Sequence, residues 1–290
     1  MPRKLKYLAI TFLILEIGTR LTRISDFPIY DANNEIGYVP KASQHGKFLW
    51  THDWIFNEYH MGADTFKPSN AEDILLIGDS IVLGGNPLKE SERLGPTLQR
   101  KINRAVWPIS AGSWGMRNEL IYLNSNPDVV NNIDTFIFVW NSGDFAQASS
   151  WSCETTHPKH SPISAFLYAF QKYVYNFQKC NGEIKPEYLF TGGDWHTELK
   201  AFISSSAMKN KKVVAYLYPD INEQKDTNLM QQMLDGHINE IHEAGIKDVI
   251  SIGHDPRWGL NNYRDGIHPS GQGNKVLADI IANPQIQSAP

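Results

Sequence analysis

The stretch Asp73-Ile-Leu-Leu-Ile-Gly-Asp-Ser-Ile-Val-Leu-Gly-Gly85 decides how the rest of the chain is read. Ile74 to Ile77 is an uninterrupted apolar run that stops at Gly78-Asp79-Ser80, the pattern of a short strand buried on both faces and ending in a loop. Ser80 then stands at a strand's carboxyl end, the edge at which open α/β sheets bind ligands. Gly, Asp and Ser are also turn formers, so the tripeptide taken alone reads equally as a simple turn.

A second stretch, Tyr263-Arg-Asp-Gly-Ile-His-Pro-Ser-Gly-Gln-Gly273, lies near the C-terminus. Asp265 and His268 are three positions apart in a Gly- and Pro-containing loop, so the carboxylate can orient the imidazole and leave its other nitrogen to take a proton from a serine. On these two blocks the chain resembles the SGNH, or GDSL, hydrolase family. That family carries its nucleophile in a Gly-Asp-Ser block after the first strand and an Asp-x-x-His block before its last helix. The resemblance runs from about Asp73 to Ala282.

The resemblance implies a three-layer α/β/α, flavodoxin-like fold and a triad of Ser80, Asp265 and His268. It also implies a set of oxyanion donors, beginning with the backbone N–H of Ser80. The second block falls at Ala111-Gly-Ser-Trp-Gly-Met116, where Gly115 is the better match and Gly112 the backup. Both glycines would serve the strand-to-helix turn in either case. The third block of the family is Gly-x-Asn-Asp, whereas this chain has Asn141-Ser-Gly-Asp144. Asn141 thus takes the glycine position and Gly143 the asparagine position. Asn141 is the candidate side-chain donor, reaching from a reshaped loop; otherwise that donor is absent.

The residues themselves supply strand and helix signals that alternate about five times, which implies a mainly parallel sheet of about five strands with helices on both faces. Thr135 to Trp140 is the clearest strand, joined by Ala105 to Ser110, Lys212 to Tyr218 and Asp248 to Ile252. Helical spacing marks Leu94 to Asn103, Arg117 to Asn124, Trp195 to Met208, Asn228 to Ala244 and Gly273 to Ala282. His254-Asp255 is a rival acid–base pair with poorer spacing. Residues 24–72 are expected to form a neck and an irregular, aromatic extension, and 73–290 the hydrolase-like domain. Residues 146–192 read as an insertion overhanging the site, with a helical-looking Ile163 to Phe177. An α/β-hydrolase would need Gly-x-Ser-x-Gly, and Ser80 is followed by Ile81-Val82 instead.

With 290 residues, 41% hydrophobic and 20% charged, the chain can form one sizeable domain with additions. Residues 1–23 carry a net charge of +4 and the remainder −8, which argues against nucleic acid as the main partner. Arg3, Lys4 and Lys6 precede the apolar run Tyr7 to Leu15, which Glu16 interrupts. This fits an uncleaved signal anchor, with a cleaved signal second and a buried helix third. The body is then expected outside the cytoplasm, held to the membrane by its N-terminus. Cys153 and Cys180 could pair in an oxidising compartment. Zinc at Cys153, His157 and His160 is a weaker reading because no fourth ligand is evident. No Gly-x-Gly-x-x-Gly or Walker-type loop occurs, so no nucleotide cofactor is implied.

The implied chemistry is ester hydrolysis through a Ser80 acyl-enzyme, with O-acetyl groups of an envelope or secreted polysaccharide as the expected substrate. An O-acetyltransferase of the same fold and a non-catalytic carbohydrate-binding or assembly protein are the alternatives. No long apolar lid favours a lipase.

Overall fold

Five strands of apolar sequence pair in parallel at the centre of the molecule, seen here in a computed structural model that describes residues 2–69, 72–146, 148–175, 180, 183–190 and 192–284. In chain order, α1 (Arg3–Leu21) is followed by two antiparallel hairpins, β1 (Tyr30–Asn33) with β2 (Gly37–Pro40), and β3 (Gln44–Phe48) with β4 (His52–Phe56). Then come β5 (Ile74–Gly78), α2 (Ser80–Leu83), α3 (Leu94–Ile102), β6 (Val106–Ser110), α4 (Met116–Ser125), α5 (Pro127–Asn131) and β7 (Thr135–Trp140). The insertion carries α6 (Ala165–Ala169). The chain closes with α7 (Trp195–Ile203), β8 (Lys212–Leu217), α8 (Ile221–Lys225), α9 (Thr227–Met233), α10 (Ile238–Glu243), β9 (Asp248–Ser251) and α11 (Gly271–Ala282).

The sheet order is β6-β5-β7-β8-β9, with every pairing parallel. This is the doubly wound, flavodoxin-like arrangement, and the expected three-layer α/β/α architecture is what forms. Alternation along each strand feeds two cores. Leu75, Ile77, Phe136 and Phe138 face the layer containing α4 and α7, while Ile74, Leu76, Ile137 and Val139 face α3 and α11. Burying each such Leu or Ile contributes about 1.5–3 kcal/mol, so both faces must be covered for the sheet to persist. Strand order reverses at β5, and the crevice between the carboxyl ends of β5 and β7 is therefore the place to look for a site.

Three expectations are corrected. Residues 30–56 of the extension are not irregular: they fold into the two hairpins, with Phe48, Trp54 and Phe56 forming a small core of their own, whereas residues 57–69 carry no regular element. The single helix expected over Asn228 to Ala244 is broken into α9, a 3-10 turn at Asp235–His237, and α10. Leu234, at φ −120° and ψ −64°, leaves helical geometry just before Gly236, the poorest helix former in that segment. The helix expected over Ile163 to Phe177 is α6 followed by a π-helical turn at Phe170–Val174; Asn176 and Phe177 lie outside the described residues.

The N-terminal helix α1 buries none of its side chains. Among the described residues no helix is long and apolar enough to cross a membrane. The insertion meets α1 through Glu16, which interrupts the apolar run. Its carboxylate accepts from Ser164 Oγ at 2.7 Å and from the N–H groups of Ala165 and Phe166 at 3.0 Å each, capping α6. Those donors, the Ser164 hydroxyl foremost, hold the Glu16 carboxyl down at about 2. Cys153 and Cys180 form a disulfide across 27 positions, so Cys153 is not available as a metal ligand.

Candidate active site

Ser80 is placed by a tight strand-to-helix turn. A Cβ on Gly78 would stand 2.7 Å from Val82 Cγ2 and 2.9 Å from the Val139 carbonyl oxygen, so only glycine lets the chain turn here. Asp79 caps the following short helix, its Oδ1 accepting from Ile81 N–H at 2.8 Å. Gly84, left-handed at φ 72°, ends that helix. Ser80 thereby stands at the carboxyl end of β5 with its side chain partly exposed.

The loop before α11 brings the other two groups. Asp265 accepts from the N–H groups of Ile267 at 3.1 Å and His268 at 2.9 Å, which folds the loop into a compact turn. His268 Nδ1 lies 2.9 and 3.0 Å from the two Asp265 oxygens, and His268 Nε2 lies 3.0 Å from Ser80 Oγ. With Nδ1–H donated to the carboxylate, Nε2 carries the lone pair that faces the serine. Partial burial raises the Asp265 carboxyl, but the two backbone donors and the neighbouring imidazole outweigh it and hold the group at about 2. Asp265 is thus a carboxylate at any ordinary pH. His254, the rival base, lies instead 2.8 Å from Asp235, and Asp255 pairs with Arg257.

Two of the candidate oxyanion donors are committed elsewhere. Gly115 is buried at the start of α4, and its N–H donates to Asn118 Oδ1 at 3.1 Å. Both amide hydrogens of Asn141 are engaged, with Nδ2 3.1 Å from Asp79 Oδ2 and 3.0 Å from Asp144 Oδ2. Its Oδ1 accepts from Gly143 N–H at 2.8 Å. Flipping the amide would turn its oxygen toward two carboxyl groups and its nitrogen toward an N–H, so this orientation is the consistent one. Gly143, exposed at the position where the family pattern has asparagine, carries no side chain to donate.

Gly112 is placed differently. Its carbonyl accepts from Tyr38 O–H at 2.7 Å and from His157 Nε2 at 3.0 Å, while its own N–H meets no acceptor among the described residues. Sequence reasoning preferred Gly115 because a count from the strand end does not reveal which N–H the Asn118 side chain takes. Tyr38 carries no local signal, and His157 stands in the sequence only as a weak zinc candidate; both come from outside the core motifs.

Beneath the serine lie three buried carboxyl groups. Burial pushes Asp79 above its ordinary range, and it pushes Glu119 and Asp144 well above theirs, reinforced for the latter two by the Asp79 charge. Asp79 Oδ2 is also 3.2 Å from Ser80 Oγ, a second acceptor beside the nucleophile. Among the described residues no group of His, Cys, Asp and Glu side chains is arranged to hold a metal ion.

No family model matches the chain, and no curated protein does. Solved structures do match. One is a member of the lipolytic G-D-S-L family from Veillonella parvula, 12% identical, covering 75% of this chain and 100% of that one, with a TM-score of 0.42. Another is a family two carbohydrate esterase from Clostridium thermocellum in complex with cellohexaose, 13% identical, with coverages of 75% and 64% and a TM-score of 0.42. A third is an acetyl xylan esterase from Butyrivibrio proteoclasticus, 12% identical, with coverages of 74% and 64% and a TM-score of 0.41. The chain therefore spans just under two thirds of the length of these two carbohydrate-active relatives.

Proposed function

We propose that this protein is a serine esterase that removes O-acyl groups, acetyl above all, from an envelope or secreted polysaccharide. The observation that carries the reading is the continuous line of hydrogen bonds from Ser80 Oγ through His268 to Asp265 at the carboxyl edge of the sheet. As Ser80 attacks the ester carbonyl, His268 Nε2 takes its proton, and the charge that develops on the ring is held by the Asp265 carboxylate. The same imidazole then protonates the departing sugar hydroxyl and activates the water that releases the acid. Gly112 N–H and Ser80 N–H, the latter in the first turn of α2 where it has no intrahelical partner, are the assigned oxyanion donors.

Transfer of the acyl group to a sugar hydroxyl uses the same acyl-enzyme and remains the second reading. The experiment is acetate release from O-acetylated glycans with and without an added unacetylated acceptor. Acetyl appearing on the acceptor instead of in solution would replace hydrolase with transferase. Trapped acyl groups at neither step would leave a carbohydrate-binding protein.

The body is further proposed to work outside the cytoplasm and against a membrane. Of the 22 large hydrophobic side chains exposed among the described residues, ten belong to α1 and six to residues 163–175, which pack beside it. Joined to the basic end at Arg3, Lys4 and Lys6, this continuous apolar surface supports anchoring by the N-terminus. Flotation of the full chain with anionic vesicles tests it, and recovery wholly in the unbound fraction would reject it.

A further inference from the structure

A cavity of about 210 Å3 lies directly beside the nucleophile turn. Leu83 and Gly85, which follow Ser80, form one wall together with Gly112, the assigned oxyanion glycine. Phe27, Tyr30 and Phe56 supply an aromatic wall from the N-terminal extension. Arg93, His157 and Lys172 supply its cationic and imidazole groups, the last two from the insertion, with Asn86 and Thr156 as further polar lining, and no acidic side chain among the described residues lines it.

The polar groups here are unusually under-used. Arg93 is 5% exposed, yet its Nε meets no acceptor among the described residues; Glu90 faces its other end, at 3.3 Å from Nη1. His157 donates from Nε2 to the Gly112 carbonyl, so Nδ1 carries a lone pair, and that buried atom meets no donor among the described residues. Burial lowers the His157 imidazole to about 4, which keeps it neutral at ordinary pH. Lys172 donates to Tyr168 O–H at 2.7 Å and lies over the Phe27 ring, but no carboxylate pairs with it among the described residues. Glu90 offsets the charge of Arg93, and Lys172 is left as the uncompensated cation. Buried donors and acceptors without partners are rare in native proteins, and they mark places where water or a ligand completes the set.

Aromatic walls suit the apolar face of a sugar ring, the lone pair of His157 suits a ring hydroxyl, and the two cationic side chains suit a carboxylate. We propose that this cavity is a subsite for a carboxylate-bearing sugar, a uronic- or ulosonic-acid residue of the acylated glycan, held with its ester toward Ser80. The volume accommodates one such ring. The inference rests on the esterase reading for its place in catalysis, but the binding itself does not.

The test therefore begins with binding. Methyl β-glucuronide and methyl β-glucoside are titrated into the full chain by calorimetry, beside Lys172→Met, which keeps the aliphatic stem, and His157→Phe, which keeps a ring. The proposal expects the glucuronide to bind at least tenfold more tightly than the glucoside. Lys172→Met removes most of that ratio, and His157→Phe weakens both sugars together. Equal binding of the two sugars, binding of neither, or a ratio unchanged in Lys172→Met overturns it. Acetylated forms of the same glycosides then report kcat/KM: glucuronide binding without acetate release would sustain the subsite and reject the esterase, whereas acetate release at equal kcat/KM from both sugars would sustain the esterase and reject the subsite.

Discussion

Asn141 Nδ2 stands 3.1 Å from Asp79 Oδ2, a hydrogen bond that crosses from the end of β7 to the end of β5 and ties the residue before the nucleophile to the neighbouring strand. With its second amide hydrogen on Asp144, Asn141 is a bridge between two buried carboxyl groups. Asn141→Ala should therefore destabilise the protein by about 1–3 kcal/mol, as buried acceptors lose their donor. Urea denaturation checks this. A side chain serving only as an oxyanion donor would leave stability unchanged while kcat fell by ~10²–10³.

Gly143 takes the position at which the family pattern places a donor asparagine, and its added Cβ would meet, among the described residues, only Asn141 Oδ1, at 3.0 Å. Gly143→Asn is expected to raise kcat toward p-nitrophenyl acetate, with about 10²-fold as the ceiling if the new amide reaches the oxyanion. An unchanged or lower kcat in a folded variant would show that the turn aims the side chain elsewhere.

Glu119 is buried, with Trp140 Nε1 donating to one oxygen at 2.7 Å and no partner for the other among the described residues. Burial raises its carboxyl well above the ordinary range, so the fold keeps a proton that the unfolded chain releases above about pH 4. For a raised carboxyl, stability is greatest below the unfolded value and falls as pH rises toward the folded one. The slope is at most about 1.4 kcal/mol per pH unit for each retained proton. Glu119→Gln should flatten this dependence, gaining on the parent at pH 8 and not at pH 4. Urea midpoints at the two pH values decide it, and parallel pH profiles for parent and variant would refute it.

The disulfide between Cys153 and Cys180 closes a loop of 27 positions, for which the chain-entropy argument gives about 3.5 kcal/mol. Reduction is expected to lower the denaturation midpoint accordingly, and to loosen the insertion that carries His157 and Lys172. Identical midpoints with and without reductant would mean that the insertion unfolds independently of the core.

Much of the sheet was legible because its signals are local. Thr135–Trp140 forms a strand with the bounds its β-branched and aromatic run sets, and Leu94–Ile102 stops one residue short of its expected end because Asn103 turns left-handed at φ 54°. The hairpins of residues 30–56 were not legible, since strands of four and five residues give no sustained alternation. The blocks around Ser80 and His268 pointed to each other across the chain, but the oxyanion side depends on which N–H is already satisfied. That is a property of Asn118, Tyr38 and His157 acting from separate elements, and no spacing rule encodes it. The cavity beside Leu83 was illegible for the same reason: its walls come from the extension, the nucleophile turn and the insertion.

The central claim is that Ser80 is a nucleophile activated by His268, 3.0 Å away. Its most direct measurement is the turnover of p-nitrophenyl acetate by the full chain, beside Ser80→Ala and His268→Ala and with mass spectrometry of the stopped reaction. The account predicts a burst with one acetyl group on Ser80 in the parent, and kcat lower by at least about 10³ in both variants. Equal turnover by the parent and Ser80→Ala, or an acetyl group on any other residue as the reacting species, would contradict it.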